Sequence, residues 1–202
     1  MKFYLNLAFR LFLISAIAAG VLAYMNGVTL PMIEENQKQE EINARKAVLP
    51  TATEFIKQSI VLPKKEETTV PNPFIMQKEE TDNTFEYYVG KDADGVIKGY
   101  TFVAKKYGYS SEIKTMVGVT TDFKIQNIKI IFQSETPGLG ANCEATSFAE
   151  KFVDKSGKDM VVDKDGGEIA SITGATITTR AVTDSFKDGL LSLKTALLKE
   201  DK

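Results

Sequence analysis

The first 25 residues constrain this chain most. Leu11 to Met25, LFLISAIAAGVLAYM, is an uncharged run of 15 residues, and Phe3-Tyr-Leu-Asn-Leu-Ala-Phe9 with Arg10 extends it upstream to 23. A helix crossing a bilayer needs about 20 residues of this kind. The one charge, Arg10, sits near the end, where its stem can carry the guanidinium to the interface. Lys2 and Arg10 are the only basic residues before Lys38. The positive-inside rule therefore predicts a cytoplasmic N-terminus and an exported remainder. A cleaved signal peptide shares the basic start, the apolar core and a Val21-Leu-Ala23 site. The length of the run favours an uncleaved anchor.

Several chemistries are excluded early. The 202 residues include no His, which removes His-based triads and His metal sites. One Cys, Cys143, forms neither an internal disulfide nor a Cys-cluster metal site, and reads as a small buried side chain. A net charge of −2 offers nucleic acid no basic face.

Past the anchor, Met32 to Val48 is dense in Glu, Gln, Lys, Asn and Arg and reads as a solvated helix ended by Pro50. Thr53-Glu-Phe-Ile-Lys57 is expected to add a short further helix. Lys64 to Asn83, with Pro71 and Pro73, reads as an irregular connection. The pattern then turns to strands. Phe85–Val89 and Val96–Ala104 flank the turn Asp92-Ala-Asp-Gly95. Ile113–Val119 and Ile125–Phe132 flank Asp122-Phe-Lys124. Short connections between β-branched and aromatic runs predict an antiparallel sheet. Ser147–Val153 reads as a short helix and Met160–Val162 as a strand. Val182, Phe186, Leu190, Leu193 and Leu197 recur at helical spacing and predict a helix packing on the sheet. The expected layout is an anchor over residues 1–26, a polar helix and connection over 27–83, and an α+β domain over 84–202, its antiparallel sheet packed by helices.

Two polar stretches stand out. Ser171-Ile-Thr-Gly-Ala-Thr-Ile-Thr-Thr179 holds five hydroxyls in nine residues and leads into the last helix. By itself it reads as a capped helix start, with Thr178 or Thr179 as N-cap and Gly174 as the turn residue. Such a start also suits a phosphate, because free amides and the helix dipole favour negative charge. Glu135-Thr-Pro-Gly-Leu-Gly140 breaks the last strand as a structured loop.

Together, in this order and behind an anchor, these two segments and Arg180-Ala-Val182 resemble the FMN-binding domain of a membrane electron-transport family. The resemblance covers most of the chain and is nearest to the G subunit of the Rnf complex, with the C subunit of the sodium-pumping NADH:quinone reductase as a cousin. It implies one FMN joined through its phosphate to the hydroxyl of Thr176. Gly174 and Ala175 are small enough for close approach, and Thr173, Ile177 and Thr178 support the attachment. The resemblance further implies a loop covering the flavin, with Thr136 and the Gly140 backbone as hydrogen-bonding groups and Leu139 against the ring. Glu135 contacts the flavin or fixes the loop through backbone amides. The implied partners are the other complex subunits, a flavin transferase and the lipid bilayer of the cell membrane, with the domain extracytoplasmic. The implied activity is electron relay in an ion-translocating ferredoxin:NAD oxidoreductase, with no complete active site in this subunit. Alternatives are a covalent-FMN subunit of another respiratory reductase and a cofactor-free extracytoplasmic binding module. One departure is Ala170, where the family motif often carries an acid. Another is Tyr107-Gly-Tyr-Ser-Ser-Glu-Ile113, a turn less glycine-rich than in relatives.

Overall fold

A computed structural model describes residues 2–62 and 84–200. The chain divides into two compact units between Ile42 and Asn43. Through the first unit and into the second runs helix α1 (Lys2–Val48). The expected anchor and polar helix form one element, continuous through Pro31. A proline there removes one backbone hydrogen bond and leaves the other turns to carry the helix on. The apolar portion is exposed along its length, with Leu11 at 67% and Leu22 at 68%. In length and composition α1 can cross a membrane.

The second unit is built on a five-stranded antiparallel meander, ordered β1-β2-β3-β4-β5. Its strands are β1 (Glu54–Val61), β2 (Thr84–Lys91), β3 (Ile97–Tyr107), β4 (Glu112–Thr120) and β5 (Ile125–Phe132). The last four follow the hairpin pattern of the sequence. The first corrects the short helix expected at Thr53–Lys57. Eight residues of β1 pair with β2, from Glu54 opposite Lys91 to Val61 opposite Thr84. Five residues are too few to hold an isolated helix, whereas an edge strand gains a full ladder. The domain thus draws on residues ahead of position 84. The connection expected over Lys64–Asn83 lies outside the described residues.

One face of the sheet carries the main core. Tyr87, Phe102, Val117 and Ile128 meet Val182, Phe186, Leu190 and Leu193 of α3 (Thr176–Glu200). The predicted stripe is therefore the buried one, and helix and strand come very close. A Cβ on Gly189 would lie 2.2 Å from Phe102 Cε2. Phe186 also meets Phe152 edge-to-face at 4.9 Å, linking α3 to the segment after β5. That segment holds α2 (Thr146–Ala149) and a 3-10 turn over Glu150–Phe152, which together replace the single helix expected at Ser147–Val153. Met160–Val162 contributes one parallel bridge, Val162 to Ile169, and no full strand.

The opposite face is covered by the end of α1. Ala44 and Val48 pack on Met116, with Val103 and Ile131 at the margin. The Arg45 guanidinium lies 3.5 Å from the Tyr88 ring centroid, a cation–π contact. Cys143 is buried, and burial pushes its thiol up to about 12. A thiol held there stays protonated and unreactive.

Candidate functional site

Three segments far apart in sequence meet beyond the β3–β4 hairpin. They are the hairpin tip at Tyr109, the loop from Glu135 to Gly140, and the start of α3. They line an open cleft of about 580 Å³, within the ~300–1,000 Å³ usual for small-molecule sites. Of the residues expected at a site, Glu135, Thr136, Leu139, Gly140, Gly174, Ala175, Thr176, Ile177 and Thr178 all line it. Thr173 does not; it is exposed in the preceding turn.

Glu135 organises the walls. Its carboxylate accepts hydrogen bonds from the amides of Tyr109 (3.3 Å), Ser110 (2.9 Å) and Ser111 (3.0 Å), and from Thr178 Oγ1 (2.7 Å). One side chain thus ties the hairpin tip and the helix to its own loop. These bonds are of the loop-fixing kind, and they reach across two further segments. Burial works to raise its carboxyl, but the Thr178 hydroxyl and the three amides outweigh this and hold it below the ordinary value. Gly140 makes the arrangement possible. A Cβ there would lie 2.6 Å from Glu135 Oε2 and 2.8 Å from Thr178 Oγ1.

The hydroxyl stretch sorts by partner. Helix α3 starts at Thr176, earlier than the expected Thr178 or Thr179 cap. Thr178 spends its proton on Glu135. Thr179 Oγ1 donates to Ala175 O (3.0 Å) and accepts from the Ile172 amide (3.1 Å). Ser171 bonds Asp163 through its amide (3.1 Å) and its hydroxyl. Asp163 thus brings a carboxylate to the motif although residue 170 is Ala. Arg180 is held at 2.7 and 2.8 Å by Asp165, so both ends of the stretch are tied to one acidic turn. Thr176 Oγ1 makes no hydrogen bond among the described residues. Gly174 turns the chain into the helix at φ 74°, which costs a glycine little. The Leu139 side chain sits against that turn, where a Cβ on Gly174 would come within 2.9 Å of Leu139 Cδ2.

The donor set fits a phosphate-bearing, flat, largely apolar ligand such as FMN. First-turn amides of an α-helix lack internal partners and favour an anion. No acidic residue lies in the first turn of α3, and the Glu135 carboxylate is already engaged by four donors. Leu139 (42% exposed) and Ile177 (51%) offer apolar surface. Tyr109 adds an aromatic ring that sequence reasoning passed over; the signal was the turn Tyr107–Ile113, already noted as unlike relatives.

Fold and cleft together define an α+β protein with a small-molecule cleft, carrying a long apolar N-terminal helix. A family profile described as the FMN-binding domain matches residues 108–191. The chain is 38% identical to the G subunit of the Na(+)-translocating ferredoxin:NAD(+) oxidoreductase complex of Acetobacterium woodii, over 90% of this chain and 87% of that one. It is 32% identical to the G subunit of the ion-translocating oxidoreductase complex of Methanosarcina acetivorans, over 86% and 85%. This chain belongs to the family of G subunits of ion-translocating oxidoreductase complexes. Its fold is shared with two solved structures. One is the C subunit of the Na(+)-translocating NADH-quinone reductase from Parabacteroides distasonis, with a TM-score of 0.53 at 21% identity over 77% of this chain and 91% of that one. The other is NqrC of Shewanella oneidensis, with 0.54 at 16% over 78% and 99%.

Proposed function

We propose that this chain is the membrane-anchored electron-relay subunit of an Rnf-type complex, carrying one FMN in a phosphoester to Thr176. One observation carries the reading. Among the described residues the Thr176 hydroxyl has no hydrogen-bond partner, and it stands at the first residue of a 25-residue helix, in a cleft walled by the two segments that resemble the family's motifs. Bound there, FMN supplies reversible electron transfer. The residues of the chain hold and shield it. The α3 amides receive the phosphate charge. Leu139 and Ile177 keep water from the ring. Glu135 fixes the cleft walls. Helix α1 anchors the domain in the bilayer with its N-terminus in the cytoplasm, the domain outside, and the remaining complex subunits beside it. Attachment is the work of a separate flavin transferase, since neither a His nor a reactive Cys is present to activate the hydroxyl.

The test is intact-mass analysis of the full chain co-expressed with a flavin transferase. The expected gain is one FMN less water, on the peptide ending at Arg180, and lost in Thr176→Ala. A full gain in Thr176→Ala would refute the site, and an unmodified wild-type chain would refute covalent flavin.

A further inference from the structure

Tyr109 is the one cleft residue outside both hydroxyl-bearing and loop motifs. It stands at the tip of the β3–β4 hairpin with its side chain 68% exposed. Among the described residues its phenol makes no hydrogen bond, ion pair or ring contact. Exposure of this kind usually goes with a loose turn, but this turn is tightly held. Gly108 N donates to Ser111 O at 2.8 Å, and Tyr107 Oη donates to Ser110 O at 2.9 Å. Three consecutive amides, from Tyr109 to Ser111, converge on Glu135. Gly108 lets that carboxylate approach, since a Cβ there would lie 2.7 Å from Glu135 Oε1. A large ring therefore lines the cleft from a backbone fixed by five hydrogen bonds, and the same cleft is lined by the aliphatic side chains of Leu139 and Ile177.

We infer that Tyr109 forms the aromatic wall of the site and packs its ring on the isoalloxazine, opposite Leu139. The inference rests on the flavin reading above. A ring of this kind prefers an offset or edge-on aromatic partner, so it selects a flat conjugated ligand over a merely apolar one. Electron-rich phenol against the flavin also has a photophysical consequence. The excited flavin takes an electron from the phenol and returns it without emission, with no net change in either group. Glu135 acts as a positioning residue for this contact, through the hairpin backbone.

The experiment uses the full chain, co-expressed with a flavin transferase and purified with its covalent flavin. Mass analysis fixes the flavin content of wild type, Tyr109→Leu and Tyr109→Phe. Fluorescence yield per flavin and midpoint potential are then measured on each. Tyr109→Leu is expected to keep its flavin, to fluoresce several-fold more brightly and to shift in potential. Tyr109→Phe is expected to fluoresce more brightly while holding the wild-type potential, because its ring still stacks but is a poorer donor. Equal yield and equal potential in wild type and Tyr109→Leu, at equal flavin content, overturn the inference and leave the flavin reading standing. A wild-type chain without flavin overturns both.

Discussion

Thr178 Oγ1 donates to Glu135 Oε2 at 2.7 Å, joining the first turn of α3 to a loop 43 residues earlier. The Thr178 hydroxyl is fully buried, so its proton has no water to fall back on. Replacing it by the isosteric valine removes one of four donors from a buried carboxylate. Thr178→Val is expected to lower unfolding free energy by about 1–2 kcal/mol, the usual cost of stripping a bond from a buried charged group. Urea denaturation of the two proteins checks it. Equal midpoints would mean that the three amides alone satisfy Glu135.

The same carboxylate makes the cleft sensitive to acid. Its folded-state value lies below the ordinary 4.5, because hydrogen bonds outweigh burial. A depressed carboxyl contributes stability that is complete above the unfolded value and fades as pH falls through the folded one. The melting temperature of wild type should therefore exceed that of Glu135→Gln by a constant margin above about pH 5, and the margin should shrink below about pH 4.5. A margin unchanged at about pH 3 would remove Glu135 as the titrating group.

Gly140 tolerates no side chain. The added methyl of Gly140→Ala would wedge between Glu135 and Thr178, at 2.6 and 2.8 Å. Overpacking of this sort costs about 1–3 kcal/mol. The expected protein is less stable and, on the reading proposed above, takes up less flavin. Gly138→Ala, in the same loop with open space around its Cβ position, is the comparison. Its cost is confined to backbone strain at φ 79°.

Phe186 is fully buried between α3, the sheet and Phe152. Phe186→Ala is expected to destabilise the domain by about 3–5 kcal/mol. Thermal melts by circular dichroism would show it. A change under about 1 kcal/mol would mean that the site collapses around the cavity.

Cys143, with its thiol at about 12 and its side chain 1% exposed, should resist maleimide in the native protein at neutral pH. Full labelling is expected in urea. Rapid native labelling would show that the segment after β5 opens.

Periodicity made most of the fold legible. The stripe from Val182 to Leu197 and the four runs between Phe85 and Phe132 are amphipathic in ways that only a packed helix and a half-buried sheet explain. Glu54–Val61 was not legible. Its residues alternate weakly, and its strand form comes from pairing with a segment more than 20 residues away. The exact start of α3 also escaped, because Thr176, Thr178 and Thr179 are equally good caps by type. Their partners distinguish them, Glu135 from a distant loop for Thr178 and the Ala175 carbonyl one turn back for Thr179. Tyr109 escaped because nothing in a turn sequence shows which distant loop it faces.

The strand order of the sheet carries a consequence for the growing chain. Strands β2 to β5 join only their sequence neighbours, so the sheet can be assembled by successive hairpins as soon as Phe132 is synthesised. Such local closures are the quick ones. The apolar face made by Tyr87, Phe102, Val117 and Ile128 is covered in part by Phe148 and Phe152 and otherwise by α3, which starts some 40 residues after β5. A nascent or truncated chain ending before Thr176 therefore presents a finished sheet that lacks the Val182, Phe186, Leu190 and Leu193 side of its core. The 25 residues of α3 act as a lid on an aggregation-prone surface as much as a wall of the cleft.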